Sequence, residues 1–97
     1  MLKMVMIAYN EAIDDEVMEL LASCGLKNHT KITGVSGRGF ASGVHMGNGI
    51  WPGRNNILYV ACEDKQAKQF LSCVKEIRKE LGREGIKAFL LPLEELT

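Results

Sequence analysis

Twice along this chain of 97 residues, a strand-length apolar run gives way to a helical stripe and then to another strand, and that order leaves few ways to fold. The run KMVMIAY, residues 3–9, is apolar and bounded by Asn10 and an acidic cluster, which reads as a strand. From Ile13 the repeat lengthens: Ile13, Val17, Leu20, Leu21 and Cys24 fall on one helical face, with Asp15, Glu16 and Glu19 on the other. Asp14 is the expected N-cap and Gly25 the expected residue just past the helix end. TKITGVS, residues 30–36, alternates again with β-branched side chains, and NILYVAC, residues 56–62, reads as a third strand. Asp64 is the expected cap of a second helix, in which Ala67, Phe70, Leu71, Val74, Ile77 and Leu81 form one stripe and most of the charged residues lie outside it. Gly82 closes that helix, Gly85 marks the turn, and IKAFLL, residues 86–91, is a fourth strand ended by Pro92. Residues 93–96, LEEL, are expected to form one helical turn or an edge strand.

The order β-α-β-β-α-β is the split arrangement of an α+β, ferredoxin-like sandwich: a four-stranded antiparallel sheet with two helices on one face. Its length fits one domain over residues 1–97. Helices on one face leave the other open, and in KMVMIAY, NILYVAC and IKAFLL both alternating sets of side chains are largely apolar. An open apolar face of that size is expected to be covered by self-association.

Between the second and third strands lies GVSGRGFASGVHMGNGIWPGRNN, residues 34–56, with seven of the ten glycines, the one Trp, and one each of the two His and two Pro. It lacks GxxxxGK[ST], and its closely spaced glycines follow a strand without opening a helix, so the usual nucleotide loops do not fit. What remains is a connection of about 18 residues, 37–54, read as a flexible functional loop. Its glycines permit close backbone approach to an anion, helped by Arg38 and Arg54. Phe40, His45 and Trp51, with Arg54, form the expected partner-contact surface of this loop. His45 is also the candidate metal ligand, with Met46 beside it and Cys62 as a further soft donor, although His29 lies 16 residues away.

Twelve basic and twelve acidic residues cancel, so no general field attracts nucleic acid, and nucleic acid is not an expected partner. Cys24, Cys62 and Cys73 show no clustered ligand spacing and are expected as reduced, buried thiols of a cytoplasmic protein. The N-terminal apolar run lacks the small-residue cleavage pattern of a signal peptide, and no run approaches the roughly 20 residues that cross a bilayer, so no membrane insertion is expected. Neither histidine has a nearby nucleophile and orienting carboxylate in sequence, and no enzymatic activity is expected.

The residues resemble the PII nitrogen-regulatory signalling proteins and their wider PII-like relatives, almost end to end. KMVMIAY stands as the first strand, and DDEVMELLASCGLKNHTKITGVSGRG stands where that family has a helix, a Gly, a strand and a glycine-bearing approach to its long loop. KAFLLPLEEL matches the family's closing Lys-x-Phe, strand, Pro and glutamate pair. The resemblance implies a homotrimer with open sheet faces turned inward and clefts between subunits for a small effector, often an adenine nucleotide. It also implies a loop that docks on a target transporter or enzyme. On that analogy Gly34, Gly37, Arg38 and Gly39 would wall the ligand cleft, and Gly85 and Lys87 would form its phosphate-side turn. Here GREGIK keeps only Gly82, Gly85 and Lys87 of the family's second glycine turn, the loop is shorter and carries neither Tyr nor Gln, and the sequence stops at Thr97 without a basic tail. These departures weigh against ATP, and more strongly against 2-oxoglutarate. The alternative is a metal-binding or metal-tolerance protein of similar trimeric fold, through His45, Met46 and Cys62.

Overall fold

Alternation along the first strand, β1 (Leu2–Asn10), decides which side of the sheet becomes the core. Val5, Ile7 and Tyr9 are fully buried, whereas Met4, Met6 and Ala8 on the opposite face are half-buried. The computed structural model describes residues 1–37, 54–81 and 85–97. After β1 come a 3₁₀ turn (Glu11–Ile13), α1 (Asp14–Ser23), β2 (Thr30–Val35), β3 (Asn55–Glu63), α2 (Asp64–Leu81) and β4 (Ile86–Pro92). The strands lie in the order β2-β3-β1-β4, all antiparallel, and the fold is the expected ferredoxin-like sandwich.

Leu58, Val60 and Cys62 of β3 and Ile86 of β4 join the buried face of β1, and Val17 and Leu21 of α1 with Ala67, Phe70 and Val74 of α2 close over it. Of the stripe expected on α2, Leu71 and Ile77 are half-buried at its margins. Pro92 sits on the edge strand opposite Lys3, where a missing N–H breaks no interior ladder.

The expected helix starts need correction. Asp14 is the first residue of α1 and not its cap, because Asn10 takes the capping role one turn earlier, its Oδ1 accepting from the Ala12 N–H at 2.9 Å. Asp64 is likewise the first residue of α2; Gln66 reaches back so that its Oε1 accepts from the Glu63 N–H at 3.4 Å, one half of a capping box. The tail from Leu93 onward forms neither a helical turn nor a strand. Gly82, expected to close α2, lies outside the described residues.

Two glycines meet a real backbone demand. Gly25, at φ 74°, ends α1 in a Schellman motif, with Leu26 N–H donating to Leu21 O at 2.9 Å and Gly25 N–H to Ala22 O at 3.0 Å. Gly34, at φ 69°, lies in a one-residue bulge: Ile32 pairs with Ile57 and Val35 with Asn55, so Thr33 and Gly34 together face Asn56. A Cβ on Gly34 would meet nothing within 4 Å, so only backbone conformation constrains the position. Gly34→Ala is expected to lose about 1–2 kcal/mol in urea denaturation, the cost of a left-handed conformation at a residue with a Cβ.

Candidate functional site: one end of the sheet

The end of the sheet that carries the glycine-rich connection is built around a carboxylate. Asp14, at the start of α1, points back under the sheet and collects three side chains from three strands. Tyr9 of β1 donates its hydroxyl to Oδ1 at 2.5 Å, and Asn56 of β3 donates through Nδ2 at 3.2 Å. Lys31 of β2 spans both oxygens, at 2.9 Å from Oδ1 and 3.1 Å from Oδ2. The Tyr9 hydrogen bond, with the ammonium beside it, holds the Asp14 carboxyl below the usual carboxylate range. Burial, reinforced by the Asp14 contact, pushes the Tyr9 phenol well above its ordinary value, so it stays a donor throughout the physiological range. This group ties β1, β2 and β3 together.

Around it the chain is cross-tied by main-chain bonds. Asn10 N–H donates to Gly85 O at 3.0 Å, and Glu11 N–H donates to Arg54 O at 3.0 Å. Asn55 and Asn56 enter β3 almost fully buried, at 3% and 4% exposure. Among the described residues, neither polar atom of the Asn55 amide nor the Asn56 Oδ1 has a hydrogen-bond partner. A Cβ placed on Gly37 would come within 3.4 Å of the Asn55 Nδ2, so Gly37, two residues past β2, lies directly against that amide.

Gly34, Gly37 and Arg54 therefore stand at the same end of the sheet as Gly85 and Lys87, but not beside them. Gly34 is on β2 and Lys87 on β4, the two outer strands, with β3 and β1 between. At about 4.8 Å per strand spacing, the two groups lie roughly 14 Å apart within one chain. Lys87 is exposed, and its Nζ sits 5.8 Å from the centre of the Phe89 ring. Arg38, Gly39, Phe40, His45, Met46 and Trp51, and with them the metal expectation for His45, lie outside the described residues. Among the described residues no group of three or more His, Cys, Asp or Glu is placed to hold a metal ion.

A concavity of about 250 Å³ opens at the other end of the β2 edge, where β3 runs on past the last residue that β2 pairs. Gly25, Leu26, Lys27 and Asn28 of the α1–β2 turn form one wall; Val60, Ala61 and Cys62 form the floor, and Gln66 of α2 the other wall. Neither the Asp14 cluster nor this recess was legible in the sequence, since each depends on residues brought together from distant elements.

Among solved structures, the apo form of CPII from Thiomonas intermedia K12, a nitrogen regulatory PII-like protein, superposes with a TM-score of 0.70, covering 92% of this chain and 85% of that one. The fold is that of the PII-like proteins. Sequence identity to that structure is 15%. CPII bound to ADP, AMP and acetate gives a TM-score of 0.70 at 20% identity, over 93% of this chain and 83% of that one. A putative PII-like signaling protein from Thermus thermophilus gives 0.66 at 20% identity, over 92% and 82%. No family sequence model matches the chain, and no curated protein matches it at a significant level. The PII-like fold thus confirms the architecture that the sequence resemblance implied.

Proposed function

We propose that the protein is a PII-like regulator that assembles as a homotrimer and binds a small anionic effector between copies, an adenine nucleotide or a related anion. In this reading it acts in the cytoplasm on a target transporter or enzyme through the segment 37–54, and catalyses no reaction itself. The observation that carries the reading is the placement of the two glycine-bearing groups at one end of the sheet but on opposite edges. Gly34 and Gly37, with Arg38 and Gly39 following in sequence, belong to one edge; Gly85 and Lys87 belong to the other. Two copies set edge to edge would bring one group from each into a single cleft, a backbone cradle on one side and a cation on the other. The Asn55 amide beside Gly37, without a partner among the described residues, offers a donor and an acceptor at the same place.

Two further observations support assembly and effector class. Ile32, Phe89 and Leu91 are exposed large apolar residues, all on the helix-free face of the sheet. That face is the one a trimer of inward-facing sheets would cover. CPII, which shares the fold, has been solved with ADP, AMP and acetate and with ADP, AMP and bicarbonate. Among the described residues no helix is long and apolar enough to cross a membrane.

Thermal unfolding with AMP, ADP, ATP and bicarbonate tests the reading. A ligand present at 100 times its dissociation constant stabilises the folded state by about 2.7 kcal/mol, a shift of several degrees. Lys87→Ala should weaken the effective anion about tenfold, the loss of one charge-assisted hydrogen bond, without lowering the melting temperature of the free protein. A panel in which no anion moves the transition would sink the proposal.

A further inference from the structure

We propose that Cys24 and Cys73 form a reversible disulfide, a redox clasp between the two helices that leaves Cys62 as the remaining thiol. The two sulfurs lie 4.0 Å apart across 49 residues of sequence, in hydrogen-bonding contact, and both are free thiols. Cys24 caps the C-terminal end of α1, between Ser23 and Gly25, and is buried, while Cys73 lies half-buried on α2. A disulfide needs a sulfur separation of about 2.05 Å, so the pair must close by about 2 Å, within the reach of side-chain rotation and a small approach of the two helices. The setting favours an order of events. Burial, with the neighbouring Cys73 sulfur, raises the Cys24 thiol above its ordinary value, so the more exposed Cys73 is the first to react.

With hydrogen peroxide as the oxidant, the Cys73 sulfur attacks one peroxide oxygen and the O–O bond breaks. A sulfenic acid forms, and the departing hydroxide leaves as water with the thiol proton. The Cys24 sulfur then attacks the Cys73 sulfur; the S–S bond forms, the S–O bond breaks, and a second water leaves carrying the Cys24 proton. In sum the two thiols give up two electrons and two protons, and one peroxide becomes two waters. A dithiol reductant reverses the change by exchange.

The clasp has a structural target. Cys24 is followed immediately by Gly25, Leu26, Lys27 and Asn28, the wall of the recess on the β2 edge, and Gln66 of α2 forms the facing wall. Cys73 lies two helical turns beyond Gln66 on the same face of α2. The disulfide would therefore pin the turn that shapes the recess against the helix opposite it. The proposal stands on the thiol geometry and holds whatever ligand the protein takes.

The test treats the folded protein with a small excess of hydrogen peroxide and maps its peptides by mass spectrometry without reduction. The expected result is a monomer mass lower by two hydrogen atoms, a Cys24–Cys73 linked peptide, one remaining titratable thiol, and full reversal by dithiothreitol. Cys73→Ser should abolish the mass loss while Cys62→Ser leaves it intact, and the half-buried Cys73 position tolerates serine without threatening the fold. The proposal is overturned if the linked peptide appears only in denaturant, if Cys62 is the partner found, or if the folded protein keeps all three thiols while a peroxide-reactive reference protein is oxidised.

Discussion

Asp14→Ala should cost about 2–4 kcal/mol of stability, far more than an ordinary change in the first turn of a helix. The substitution strips the acceptor from a Tyr9 hydroxyl at 0% exposure, from the Asn56 amide and from the Lys31 ammonium at once. Lys31 and Asp14 keep 26% and 31% side-chain exposure, so water recovers part of the loss, and the figure stays below that of a fully buried pair. The control is Asp15→Ala, one residue on and exposed in the same turn, which should change stability by less than about 0.5 kcal/mol. Urea denaturation measures both; equal losses at the two positions would reduce the Asp14 cluster to a helix-end charge effect.

The same cluster sets how stability responds to pH. The folded-state pKa of Asp14 is depressed, so its contribution is present above the ordinary aspartate value of about 3.9 and is lost as pH falls below it. The folded-state pKa of Tyr9 is raised, so its contribution is present below the ordinary phenol value of about 10 and is lost as pH rises past it. Burial also raises Cys24 and Cys62, which begin to erode stability on the alkaline side earlier, from about 8.5. Tyr9→Phe should flatten the steep loss above pH 10 while leaving the shallower thiol-driven decline.

Met6→Lys should abolish self-association. Met6 lies at the centre of the helix-free face, between Tyr59 of β3 and Phe89 of β4 in register. Burying an ammonium there in an assembly costs several kcal/mol for each copy, equivalent to at least about a hundredfold weaker association at each interface. Within a single chain the position is only half-buried, so the long side chain can lift its charge to water and the fold survives. Light scattering at micromolar concentration should report a trimer for the parent protein and a monomer for the variant, with unchanged circular dichroism. A parent protein that is already monomeric, or a variant that keeps the parent mass, would remove the assembly from the proposed function.

The order of elements was legible because each carries its own period: the apolar run of β1 and the Phe70–Val74–Ile77 stripe of α2 declare their type without reference to anything distant. The sandwich followed from that order. Asp14 was misread for the same reason. Its local setting, just ahead of an apolar helical repeat, is what a cap looks like, whereas its true partners Lys31 and Asn56 lie 17 and 42 residues further on. The Cys24–Cys73 contact, 49 residues apart, escaped for the same cause, and spacing rules for adjacent cysteines could not detect it. Gly34 and Gly37 were singled out as parts of a ligand cradle; for Gly34 the structure adds a reason internal to the strand, a left-handed residue in a bulge.

That bulge works as a phase shifter. Up to Ile32 the strand keeps step with β3, and Lys31 turns toward α1 to meet Asp14. In an uninterrupted strand Val35, four residues after Lys31, would turn the same way. The inserted residue instead sets Val35 across from Asn55, on the side of the sheet that Ile32 and Ile57 share. The polypeptide consequently departs from β2 half a pleat out of phase with its own beginning. The side of the sheet toward which Val35, the last residue of β2, turns is encoded by a count of residues, not by the chemistry of any one side chain.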